Sequence, residues 1–275
     1  MASPSSFGTT VGVFDSGVGG LSVLKAIRRK RPTVNFIYIA DSGNAPYGSR
    51  SSDFIEHRAS RIAQALADSG VQIVVVACNT ATAVAVEKLR SQLSVPVVAI
   101  EPAIKPAVTL KKTGVIGVLA TERTLESAAV ERLCREFGQG VKIALQPCPG
   151  LAELVERGEV STDFTREYLR EIVLPLTAQG ADTLVLGCTH YSFLEAEIRD
   201  IVGPEVRIIE PSAAVARQVI LQLGNDETDE LSGLVGRETF LTTGNPEHVQ
   251  IIFSQLWGQR IEVRALETKN ARAEA

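Results

Sequence analysis

Two copies of one short pattern constrain this chain more than any other feature. Residues 74–83 read VVVACNTATA, and residues 184–191 read LVLGCTHY. Each is an apolar run that ends in a small residue, then a cysteine, then side chains rich in hydrogen-bonding groups. A helix-forming segment follows in both. Such an apolar run reads as a strand buried on both faces, as in a parallel sheet covered by helices. Ligands of such folds sit in the crevice beyond the carboxyl ends of the strands. Cys78, Asn79 and Thr80 fall there in one copy, and Cys188, Thr189 and His190 in the other.

Two further registers repeat at nearly the same interval. TVGVFDS (10–16) matches GVIGVLAT (114–121), so that Ser16 corresponds to Thr121, and VVAIEPA (97–103) matches RIIEPSA (207–213). Three registers in one order predict a duplicated α/β protein. Its two pseudo-twofold-related lobes have mainly parallel sheets that face each other across a cleft. The first copy alternates strand 11–15, helix to 30, strand 34–40, a helix capped by Ser52 and ending near 69, strand 74–76, helix to 93 and strand 95–100. The second has strand 114–120, helix 124–137, strand 141–146, helical 149–179, strand 182–186 and helix 192–201. The remainder holds an acidic loop (225–230), a strand (238–243), a helix (246–257), a strand (261–264) and a tail after Glu267 read as disordered. It is too short for a third core and is expected to complete the first lobe. The expected lobes are therefore 1–100 with 211–275, and 101–210.

Composition narrows the function classes. At 275 residues and 45% apolar the chain supports a substantial core, and a net charge of −4 suggests no nucleic-acid partner. MASPSSFGTT lacks the apolar centre of a secretory signal, and no apolar run reaches the ~18 residues of a membrane span. A cytoplasmic protein with reduced cysteines is expected. The cysteines (78, 134, 148, 188) lack metal-ligand spacing, and His57, His190 and His248 lie far apart, so no metal is expected. Cys134 and Cys148 have no echo and read as structural; His57 and His248 read as solvated helix residues. The glycines of Ser16-Gly17-Val18-Gly19-Gly20 invite a dinucleotide reading, but Ser22 stands where the pattern needs glycine. Asp15 and Ser16 sit instead at a strand end beside a helix N-terminus, where N–H groups receive an anion. The loop 41–48, DSGNAPYG, is a Gly/Pro/Asn-rich turn at another strand's carboxyl end.

If the lobes face each other, Cys78 and Cys188 approach a ligand from opposite sides. That arrangement suits inversion at a carbon acid: one thiolate removes a proton while the opposite thiol delivers one. Both thiols precede helices, whose N-termini favour the thiolate. No sequence context marks a lysine for pyridoxal phosphate, so the route expected is cofactor-free. It needs positioned bases, excluded water and donors for the carboxylate charge. Ser16, Asn79, Thr80, Thr121 and Thr189 are suitable donors. Asp15 on the Cys78 side and His190 on the Cys188 side are the ionisable neighbours.

The segments FDSGVGGLSVL (14–24), ADSGNAPYG (40–48), ACNTATA (77–83), GVLATERT (117–124) and LGCTHY (186–191) together resemble the signatures of bacterial glutamate racemases. A cysteine motif alone would indicate only the wider group that includes aspartate and hydantoin racemases. The resemblance implies a cofactor-independent, two-base interconversion of L- and D-glutamate that supplies D-glutamate for peptidoglycan. It implies Cys78 and Cys188 as proton acceptor and donor, assisted by Asp15 and His190. Substrate contacts are implied at Asp15, Ser16, Pro46, Tyr47, Gly48, Asn79, Thr80, Thr189 and His190, with Thr121 or Thr124. A homodimer, common in the family, is implied with them. Two other readings stand beside it: a racemase for aspartate or a related amino acid, and a non-catalytic amino-acid-binding protein. The second would have no use for the paired thiols.

Overall fold

The apolar runs form two wholly parallel sheets in the computed structural model, which describes residues 8–224 and 235–266. The acidic loop 225–230 and the tail after Glu267 lie outside the described residues. In the first sheet β1 (Thr10–Asp15) lies between β2 (Asn35–Ala40) and β3 (Ile73–Val76), with β4 (Val97–Ala99) outside β3. In the second, β5 (Val115–Ala120) lies between β6 (Lys142–Pro147) and β7 (Thr183–Leu186), with β8 (Arg207–Ile209) outside β7. The two orders, 2-1-3-4 and 6-5-7-8, are the same. Phe14 pairs with Val76 in the first, and Leu119 with Leu186 in the second, so the registers repeat as well. The two-lobed α/β architecture expected from the duplicated sequence is present. β9 (Glu238–Thr242) and β10 (Val263–Ala265) extend the first sheet beyond β2.

Both faces of β3 and β7 are buried because helices cover them, and their runs are accordingly apolar except for Thr183 at the start of β7. Each fully buried Val, Leu or Ile contributes about 1.5–3 kcal/mol. One apolar cluster runs from Val13 and Val75 through α1 (Leu21–Lys30) and α10 (Ser212–Leu223) to Leu184, Cys188 and Tyr191. The lobes therefore share a core on this side, where the 3₁₀ turn Thr189–Leu194 packs against α1.

Helix boundaries follow caps that periodicity alone does not reveal. Ser51, not Ser52, caps α2 (Ser52–Asp68), its hydroxyl accepting from Phe54 N. The expected helix 124–137 is two helices, α5 (Glu122–Leu125) capped by Thr121 and α6 (Ala128–Phe137) capped by Ser127. The expected helical stretch 149–179 is also two. α7 (Leu151–Glu156) ends before Gly158, whose φ of 74° is left-handed, and α8 (Asp163–Ala178) starts on a Thr162 cap. The helix expected from 192 starts as the 3₁₀ turn and becomes α9 (Glu195–Val202).

Candidate active site

The carboxyl ends of β1, β3, β5 and β7 carry the residues expected to act, and these meet where the lobes adjoin. Asp15, the last residue of β1, is fully buried. Its Oδ1 accepts from Gly17 N at 2.9 Å and Ser16 Oγ at 3.4 Å, and its Oδ2 from Thr189 Oγ1 of the second lobe at 2.9 Å. Burial pushes its pKa above the usual carboxylate range, against the pull of His190 and these donors.

Two residues after β3, Cys78 occupies the N-cap of α3 (Asn79–Gln92). Its sulfur accepts from Ala81 N at 3.4 Å and lies 3.6 Å from Ser16 Oγ. A helix N-terminus alone would favour the thiolate, as the sequence suggests. At this position burial outweighs it, and together with the charge of Asp15 raises the Cys78 pKa to about 12. Asn79, the first residue of α3, has both side-chain amide atoms buried and without a hydrogen-bond partner. Such groups are costly to leave unpaired, and Asn79 follows directly on Cys78 beyond the carboxyl end of β3. The hydroxyl of Thr80 lies 3.1 Å from Thr121 Oγ1 and 3.3 Å from Thr124 Oγ1, and Thr121 reaches Thr124 at 3.0 Å. Both candidate threonines thus belong to one hydroxyl patch bridging the lobes.

On the opposing side, Cys188 follows β7 by two residues, and its sulfur lies 3.7 Å from His190 Nδ1. His190 Nε2 donates to Glu156 Oε1 at 2.5 Å, and the same oxygen accepts from Val18 N at 2.8 Å. Burial disfavours a charged imidazole here, but the Cys188 sulfur and the Glu156 carboxylate outweigh it and carry the His190 pKa well above its ordinary value. Glu156 was not among the residues expected from sequence. It sits at the end of α7, inside what reads as one long helix, and has no counterpart in the first copy. A carboxylate following the buried Leu151, Ala152, Leu154 and Val155 was the available signal.

The glycines after Asp15 have a steric role rather than a phosphate-binding one. A Cβ on Gly17 would stand 1.7 Å from Glu156 Oε1, and one on Gly19 would stand 2.4 Å from His190 Nδ1. The loop from β2 contributes at the lobe boundary. Gly48 lies against Thr121, and Tyr47 packs in the same buried cluster as Cys78. The Tyr47 hydroxyl is held by Asp41. Pro46 lines a neighbouring cavity of about 310 Å³ with Val18, Glu156, His248 and Ile252. Cys134 has no role in this constellation; Cys148 is buried with its thiol directed at Gln146 O.

Two thiols, an aspartate and a histidine–carboxylate pair thus lie buried where the lobes adjoin, and the sequence comparisons identify the chain's relatives. Residues 21–219 match the Asp/Glu/Hydantoin racemase family. The chain belongs to that family. A glutamate racemase of Methylococcus capsulatus is 45% identical to this racemase over 256 residues, covering 93% of this chain and 94% of the relative. Among solved structures, a glutamate racemase isoform of Bacillus anthracis superposes with a TM-score of 0.83 at 33% identity, covering 94% of this chain and 98% of that one. An Escherichia coli glutamate racemase, solved with L-glutamate and the activator UDP-MurNAc-Ala, gives 0.80 at 31% identity, covering 94% and 97%. Among the described residues of this racemase, no helix is long and apolar enough to cross a membrane.

Proposed function

We propose that this racemase interconverts L- and D-glutamate in the crevice between its lobes, with one thiol serving each face of the α-carbon. The observation that carries the reading is the equivalence of Cys78 and Cys188. Each is buried two residues beyond the central strand partner of its sheet, and each has its own ionisable neighbour. In one direction Cys78, as thiolate, takes the α-proton and the Cys188 thiol donates to the opposite face; in the other direction the roles exchange. A glutamate ammonium group brought beside Cys78 and Asp15 adds positive charge next to the Cys78 sulfur, and so favours its thiolate when substrate binds. On the other side a protonated His190, steadied by Glu156, offers its Nδ1 proton toward Cys188. The orphaned amide of Asn79 and the hydroxyl of Thr80, joined by the Ser16 and Thr189 hydroxyls as they turn from Asp15, receive the carboxylate, whose charge grows as the α-proton leaves. Burial of both sulfurs keeps water from the carbanion.

The peptidoglycan role, cytoplasmic location and homodimer belong to the same reading, supported by the glutamate racemases it resembles over nearly the full chain. So does the division into lobes 1–100 with 211–275 and 101–210, supported by the membership of β9 and β10 in the first sheet. Proton NMR with L-glutamate in D₂O, without pyridoxal phosphate, tests the proposal. Loss of the α-proton signal with appearance of D-glutamate is expected, and aspartate should exchange far more slowly. No exchange by folded protein with reduced thiols, in the presence or absence of a cell-wall precursor, would overturn it.

A further inference from the structure

Asp41 stands outside the reacting groups, yet it is one of the most heavily bonded side chains in the protein. It is fully buried at the end of β2, and its backbone N–H donates to the carbonyl of Asp15 at 3.0 Å. Its carboxylate gathers three separate parts of the chain. Arg58 of α2 donates Nε to Oδ2 at 2.9 Å and Nη2 to Oδ1 at 2.7 Å. The Tyr47 hydroxyl donates to Oδ2 at 2.5 Å, and Asn44 Nδ2 to Oδ1 at 2.9 Å. Thr243, which follows β9 in the C-terminal segment, donates to Oδ1 at 2.6 Å and accepts from Gly43 N at 3.2 Å. A buried carboxylate is tolerated only with such compensation, and each donor is thereby fixed in place.

The consequence falls on the residues at the other end of the loop. Tyr47 packs in the apolar cluster that holds Cys78, and Gly48 touches Thr121 across the lobe boundary. One turn further, the carbonyl of Arg50 accepts from Arg123 of α5 at 3.3 Å. The same loop therefore forms one wall beside a reacting thiol and the surface on which the second lobe closes. We infer that Asp41 and Thr243 are positioning residues for the substrate, acting through the Tyr47–Gly48 turn rather than by touching the reacting atoms. This inference rests on the glutamate racemase reading above. It gives the C-terminal segment a part in substrate binding although it contributes no reacting group.

Replacing Asp41 would strand the Arg58 charge and risks unfolding, so Thr243 is the position to test. Thr243→Val is expected to raise KM for glutamate about tenfold, with kcat reduced less than about threefold, and Thr243→Ser to restore KM to within about twofold of the parent. Tyr47→Phe should raise KM similarly. The double variant should be no worse than the poorer single one, because both act through one carboxylate. Unchanged KM in either single variant, a serine variant as impaired as valine, or multiplying effects in the double variant would each overturn the inference. An unaltered protein that fails to racemise glutamate would overturn the functional reading and this inference together. An active parent with an unmoved KM in the variants overturns only the inference.

Discussion

Thr189 donates its hydroxyl to Asp15 at 2.9 Å, joining a residue of the second lobe to the last residue of the first lobe's central strand. Through that bond each half of the crevice reports on the other. Asp15 raises the Cys78 pKa, and Thr189 stands between Cys188 and His190 in sequence. The two thiols are thus equivalent in the fold but not in their surroundings, and this asymmetry sets the first prediction.

Cys78→Ser and Cys188→Ser should each lower racemisation by about a thousandfold or more, since a serine hydroxyl is far less acidic than a thiol and so neither forms the anionic base nor gives up its proton as readily. With a glutamate analogue carrying a leaving group on its β-carbon, only one base is needed. Each variant should then retain elimination from one enantiomer and lose it from the other, in mirror fashion. Equal losses on both enantiomers in both variants would rule out one base per face.

Asn79 carries two buried polar atoms without a protein partner. Asn79→Leu should therefore leave stability unchanged or raise it by about 1 kcal/mol, since an unpaired buried amide costs about 1–3 kcal/mol. KM for glutamate should rise by about thirtyfold or more. Chemical denaturation and steady-state kinetics on the same preparation check both halves. A destabilised variant with unchanged KM would make the amide structural.

Glu156→Gln removes the carboxylate that helps carry the His190 pKa upward. The raised folded value means that protonation of His190 favours folding below its ordinary pKa of 6.5, and that this contribution fades as pH rises through the higher folded value. NMR titration of the imidazole should show His190 protonated above pH 6.5 in the parent, with its midpoint moved down in the variant. Turnover should fall about tenfold while KM changes less than about threefold. An unmoved midpoint would separate Glu156 from the histidine.

Cys78 gives a pH signature in stability. Its pKa rises from an ordinary 9.0 to about 12, so the protonated thiol favours folding, fully below pH 9 and progressively less as pH climbs toward 12. Between pH 7 and pH 10.5 that contribution falls by about 2 kcal/mol, at about 1.4 kcal/mol for each unit above 9.0. Cys78→Ser should lose about that much less stability than the parent over the same interval. Parallel losses in the two proteins would place the alkaline sensitivity elsewhere.

The duplication made much of this readable from residues alone. Paired strands, both thiols and the residues beside them recur at one interval, and a parallel α/β sheet puts strand ends at its ligand crevice. Single features that do not recur were harder to read. The chain between 149 and 179 keeps an apolar periodicity across Gly158, so the break there, and the exposure of Glu156 to the crevice at the end of α7, are set by a left-handed glycine and a threonine cap rather than by the pattern. The N-terminal favour toward a thiolate at Cys78 was correctly placed in space but overruled by desolvation, which no local sequence encodes.

Gly17 and Gly19 reverse the logic of a substitution scan. Alanine scanning finds functional positions by taking atoms away, yet at these two positions alanine adds a methyl group where a side chain of the opposing lobe now stands and must shift. Gly17 leaves room for the Glu156 carboxylate and Gly19 for the His190 ring, so each glycine works by what it omits. Loss of activity there would mark a keyhole, not a missing contact, and the proper reading of such a result is that the other lobe's side chain is the functional one.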